Sequence, residues 1–159
     1  MKEYKSELKF QEVAVDELSP LEYELMNRAI AAAKNAYAPY SNFHVGVALM
    51  LSNGKIVTGN NQENAAYPSG LCAERVALFN ASSQNPDASV RECAIVAMSS
   101  KGEIKKRISP CGACRQVMLE AEQRGKTPMR ILMCGKEKVQ VVASAKDMLP
   151  FSFSEEDLK

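Results

Sequence analysis

The chain has 159 residues, 46% of them apolar, which suffices for one domain with a proper core. Lys and Arg total 20 against 19 Asp and Glu, so a net charge of +1 gives no overall field to draw in nucleic acid or an anionic membrane. No apolar run approaches the roughly 18 residues that span a bilayer, and the charged start Met1-Lys2-Glu3-Tyr4-Lys5 is unlike a signal peptide, so the expected compartment is the cytoplasm.

Residues 1–18 are polar, with partial alternation at Leu8, Phe10, Val13 and Val15, and fit either an edge strand or a loosely attached arm. Ser19-Pro20-Leu21-Glu22 then marks a helix start: Ser19 can cap, Pro20 suits the first turn, and Glu22 stands where a capping box needs its acid. Leu21, Leu25, Ala29, Ile30 and Ala33 follow at helical spacing, and the helix is expected to stop near Ala38-Pro39. From Phe43 to Leu51 the pattern alternates, with Val45, Val47, Leu49 and Leu51 on one face. Asn53-Gly54 supplies a hairpin turn into a partner strand, Ile56 to Gly59.

A polar loop, Asn60 to Leu71, delivers the chain to Cys72. A helix is expected over Ala73–Ala81, with Val76, Ala77 and Phe79 as its apolar positions. Cys93–Met98 is a nearly continuous apolar run, suited to a strand covered on both faces. Gly112–Arg124 is helical, Arg130–Cys134 and Lys138–Val142 are strands, and a short helix is possible after Ser144. The order predicts an α/β fold, a three-layer α/β/α domain around a mixed sheet of about five strands. The expected organisation is an N-terminal extension, 1–18, and one domain, 19–159.

Five cysteines are an odd number, and with no export signal a disulfide framework is not expected. The single histidine, His44, excludes zinc sites built on several imidazoles, so a zinc site here rests on sulfur. Cys111 and Cys114 lie one helical turn apart at a helix start, and Cys72 precedes another. Three sulfurs leave zinc a fourth position open, which favours catalysis over scaffolding. Glu74, two residues beyond Cys72, can reach a water at the metal without being a ligand and is the natural proton carrier. Three thiolates weaken the metal as an acid, and two features offset this: the positive ends of the helices, and hydrogen bonds from Arg75 to sulfur. Cys93 and Cys134 fall within apolar strands and are expected to be small buried hydrophobes.

The pair Cys72-Ala73-Glu74 and Pro110-Cys111-Gly112-Ala113-Cys114 resembles the signature of the zinc deaminases in its three-cysteine form. Four longer strings narrow this: Ala38 to Gly46, Asn61 to Tyr67, Cys72 to Arg75 and Ser109 to Gln116 resemble the free-nucleoside cytidine deaminases, as does the ending from Leu149-Pro150 to Leu158. The resemblance implies a Zn²⁺ ion per chain on Cys72, Cys111 and Cys114. It also implies hydrolysis of cytidine or deoxycytidine at C4, Glu74 shuttling protons between water, N3 and the departing amine. Asn61 and Glu63 are implied to hold the ribose 3′-hydroxyl, Phe43 to lie against the pyrimidine, and backbone around Ala73 to orient it. Ala65, Tyr67 and Phe153 resemble positions that reach into a neighbouring subunit's site, which implies a homotetramer.

Two other readings compete. A deaminase of polynucleotides needs a basic groove bearing aromatics, against a balanced charge and 6% aromatic content here. A non-catalytic zinc module has no use for an uncoordinated acid such as Glu74. The expected partner is a small nucleoside, not nucleic acid or membrane.

Overall fold

A computed structural model describes residues Met1–Lys159. The capping box of the first helix forms as its residues dictate. Ser19 Oγ accepts from the Glu22 amide while the Glu22 carboxylate accepts from the Ser19 amide, and α1 runs Pro20–Ala33. It ends earlier than its composition suggests. The Tyr37 amide donates to the Asn61 carbonyl, and the Tyr37 carbonyl accepts from the Glu63 amide, which draws residues 37–38 out of the helix and onto the loop after the hairpin.

β2 (Phe43–Leu51) and β3 (Ile56–Asn60) form the expected hairpin, with Gly54 at φ 81° in its turn. α2 (Ala73–Gln84), β4 (Val90–Ser99), α3 (Gly112–Gly125), β5 (Arg130–Cys134) and β6 (Lys138–Val142) follow. In α2 the helical phase buries Ala77, Leu78 and Ala81 and leaves Phe79 exposed, contrary to the sequence-based assignment of Phe79 to the apolar face.

The sheet has six strands, in the order β1-β6-β5-β4-β2-β3. The strand beyond the expected five is β1 (Gln11–Ala14), from the N-terminal segment, which pairs antiparallel with β6 and covers its edge. Only β4 and β5 run parallel, and α3 is the crossover between them.

Both faces of the sheet are covered. Cys93, Ile95 and Ala97 of β4 join Val45, Val47, Leu49 and Leu51 of β2 in the cluster beneath α2 and α3. Ala94, Val96 and Met98 point the other way and pack with Leu25, Ala29 and Ala33 of α1. This explains the unbroken apolar run in β4 and the three-layer architecture. Small residues bring the helices close: a Cβ on Gly46 would stand 2.0 Å from the Ala29 carbonyl oxygen of α1, and one on Gly59 2.5 Å from the Ala77 amide nitrogen of α2. No helix is long and apolar enough to cross a membrane.

Candidate active site

Two helix starts meet at the end of the sheet where β4 finishes. Cys72 is the N-cap of α2 and Cys111 the N-cap of α3, and neither side chain caps its helix by a hydrogen bond. At such a position Ser or Asp normally satisfies the free amides; here sulfurs occupy it, in the positive end of each helix dipole, which favours thiolate. Cys114 sits one turn inside α3 and is fully buried.

The three sulfurs lie within 4.8 Å of one another, and those of Cys72 and Cys111 are 3.9 Å apart. Zinc–sulfur bonds of about 2.3 Å in a tetrahedron require sulfurs about 3.8 Å apart, so the donor set fits zinc in chemistry and in spacing. Arg75 Nη2 stands 3.9 Å from Cys72 Sγ, and the buried Arg75 Nε has no other partner, so its guanidinium is turned to the cluster. A hydrogen bond from Cys114, with help from Arg75 and Cys111 against the effect of burial, lowers Cys72 to about 5. The same bond and burial push Cys114 up. Without metal, therefore, Cys72 is the thiolate and Cys114 keeps its proton.

Glu74 is only 4% exposed. Burial raises its pKa, and negative charge on Cys72 adds to this, while its own amide, the Cys114 thiol and Arg75 counteract part of the shift. A carboxyl held above its usual range is suited to take and return protons near neutral pH.

Beside the cluster opens a cleft of about 500 Å³, lined among others by Tyr40, Ser41, Asn61, Glu63, Tyr67 and Cys72. That is the size of a small-molecule site. The Asn61 side chain is locked to β2: Oδ1 accepts from the Val45 amide at 2.7 Å and Nδ2 donates to the Phe43 carbonyl at 2.9 Å. Glu63 accepts from the Tyr40 and Ser41 amides at 3.0 and 3.2 Å and from the Ser41 hydroxyl, whose bond is the main cause of a lowered pKa. Both groups are thus oriented before any ligand arrives.

Phe43 starts β2 opposite Ser99, the last residue of β4, and is half-buried, with Lys105 Nζ 5.0 Å from its ring centre. Ala73 is buried in the first turn of α2. Ala65, Tyr67 and Phe153 are exposed; of these only Tyr67 lines the cleft. Cys93 and Cys134 are buried hydrophobes, as expected.

The model of the cytidine and deoxycytidylate deaminase zinc-binding region matches residues 20–127. The chain belongs to this family. It is 38% identical over 135 residues to a cytidine deaminase of Halalkalibacterium halodurans, covering 84% of this chain and 95% of that protein. A cytidine deaminase of Sporosarcina psychrophila is 40% identical, over 85% of this chain and 93% of that one. Among solved structures, a cytidine deaminase from Burkholderia pseudomallei superposes with a TM-score of 0.71 at 41% identity, over 82% of this chain and 98% of its own. The metal of the family is zinc, and Cys72, Cys111 and Cys114 form the group able to hold it.

All three cysteines and Glu74 fall inside the matched region, whereas β1 and Phe153 lie outside it. Tyr40 and Ser41 line the cleft without having been singled out from the sequence. The signal was there, since both belong to the Ala38–Gly46 string, but a tyrosine and a serine in a loop declare no chemistry until Glu63 is seen bonded to them.

Proposed function

We propose that this chain hydrolyses cytidine and 2′-deoxycytidine to uridine and 2′-deoxyuridine with release of ammonia, in pyrimidine salvage in the cytoplasm. The observation that carries this reading is the burial of Glu74 directly beside three converging thiols. A structural zinc knot takes a fourth protein ligand and gains nothing from a buried acid outside the coordination shell.

When bound to Cys72, Cys111 and Cys114, zinc supplies the Lewis acidity that makes water a nucleophile at neutral pH. Glu74 accepts a proton from the attacking water and delivers it to N3 of cytosine, which makes C4 more electrophilic. It then carries a proton to the amine leaving C4, so that water and cytidine become uridine and ammonia. Arg75 holds the thiolates and offsets their charge. The backbone at Ala73 orients the base and Phe43 lies against its face. Asn61 and Glu63, already fixed by β2 and by residues 40–41, bind the 3′-hydroxyl and so select a nucleoside over free cytosine.

Tyr67 is 75% exposed and Phe153 58%, and Ala65 is exposed beside them. Aromatics left in water beside an open cleft suit a site completed by neighbouring copies, and the assembly we propose is a homotetramer. The test is a turnover assay on cytidine, deoxycytidine, their monophosphates and single-stranded DNA, with scattering mass measured on the same sample. Turnover of the two nucleosides at four times the 17.4 kDa chain mass is the expected result. Preference for single-stranded DNA overturns the substrate assignment, and full activity at the monomer mass overturns the shared site.

A further inference from the structure

The chain beyond β6 has little core of its own. Residues 145–148 form a single 3-10 turn, after which Phe151 is 97% exposed and Phe153 58%. What fastens this segment is α3, the helix whose first turn carries Cys111 and Cys114. Glu122, buried on that helix, accepts from the Ala145 amide and the Ser144 hydroxyl at 2.7 and 2.6 Å. Nearer the metal cluster, Arg115 Nε donates to the Pro110 carbonyl at 2.9 Å, just before Cys111, while its Nη1 donates to the Met148 carbonyl at 3.2 Å. Gln116 Nε2 donates to the carbonyl of Phe153 itself at 2.8 Å. One helical turn therefore presents two metal-binding sulfurs and, from the two residues following Cys114, both anchors of the tail.

We propose that Arg115 and Gln116 are positioning residues that latch Phe153 to the zinc-bearing helix. The geometry of the thiolates and the placement of the closing aromatic are then set by the same rigid element. Arg115 ties the root of the tail to the backbone entering the metal turn, and its forked guanidinium can bond two carbonyls at once, which Lys in its place cannot match. Gln116 fixes the tip. Without that bond an exposed segment regains its conformational freedom, and ordering it again falls on substrate binding, so the loss appears in KM. The inference rests on the reading of Phe153 as a residue of the substrate site.

The test is a double-mutant cycle on the full-length zinc-loaded protein, with Gln116→Ala, Phe153→Ala and the pair, reading kcat, KM and zinc content. Gln116→Ala is expected to raise KM by about two- to tenfold, with kcat within about twofold and zinc unchanged. Gln116→Glu, which keeps the shape and removes the donor, moves KM the same way. If the latch acts through Phe153, the double variant is no worse than Phe153→Ala alone. A silent Gln116→Ala, a wild-type KM in Gln116→Glu, or penalties that add in full overturn the latch while leaving Phe153 in the site. A silent Phe153→Ala overturns both, and is recognised because turnover then survives without the aromatic.

Discussion

Gly59→Ala tests whether the metal centre is set by how closely α2 lies on the sheet. A Cβ at Gly59 would stand 2.5 Å from the Ala77 amide nitrogen and 2.8 Å from the Ala73 carbonyl oxygen, both backbone atoms of α2. Ordinary contact needs about 3.5 Å, so the helix must withdraw by about 1 Å. Overpacking of this kind costs about 1–3 kcal/mol. For zinc the consequence is larger than for the fold, because ligand positions tolerate only about 0.2 Å and Cys72 begins the displaced helix while Cys111 and Cys114 stay on α3. The expected outcome is a drop in Tm of roughly 2–12 °C, with at least about tenfold weaker zinc retention against a chelator. Wild-type zinc affinity refutes the reasoning. If stability falls while zinc is held as before, the edge strand β3 has yielded in place of α2, and this contact does not set the site.

Two further perturbations probe the site and its scaffold. In metal-free protein, ultraviolet thiolate absorbance should show Cys72 titrating at about 5, because Cys114 and Arg75 favour its thiolate. Since this folded value lies below the unfolded one, the stabilisation is complete above the unfolded thiol pKa and lost as pH falls through about 5; a first thiolate appearing only in the alkaline range contradicts it. Glu122→Ala removes the acceptor of the Met129 and Ala145 amides, both at 2.7 Å, and leaves them buried. A cost of about 3 kcal/mol and a Tm lower by roughly 6–12 °C are expected by calorimetry, and a change under about 0.5 kcal/mol is the refuting result.

Much of this fold was legible because local chemistry and global architecture agree. The Ser19–Glu22 capping box, the Asn53-Gly54 turn and the two-sided apolar run of β4 each have a physical cause within a few residues of themselves. The misplacements have causes further away. The end of α1 is decided by backbone bonds between Tyr37 and residues 61–63, and β1 exists because β6 offers an open edge; neither partner is local in the chain. Phe79 was misassigned because hydrophobicity alone does not give helical phase, whereas Ala77, Leu78 and Ala81 show where the core lies. The metal centre was the most legible part, since Cys72, Cys111, Cys114 and Glu74 carry their chemistry in their identities and spacing. The support for the cleft was not, because Ser41 and Tyr40 act through Glu63, which lies 22 and 23 residues away.

The most direct measurement of the central claim is zinc content and cytidine turnover in the wild type and in Glu74→Gln. The side chain keeps its shape and loses its capacity to carry a proton. The expected result is about one zinc per chain in both proteins, with cytidine converted to uridine by the wild type and turnover lower by at least about 10²–10⁴-fold in the variant. Wild-type turnover in Glu74→Gln, or a zinc-loaded wild type that leaves cytidine and deoxycytidine untouched, would contradict it.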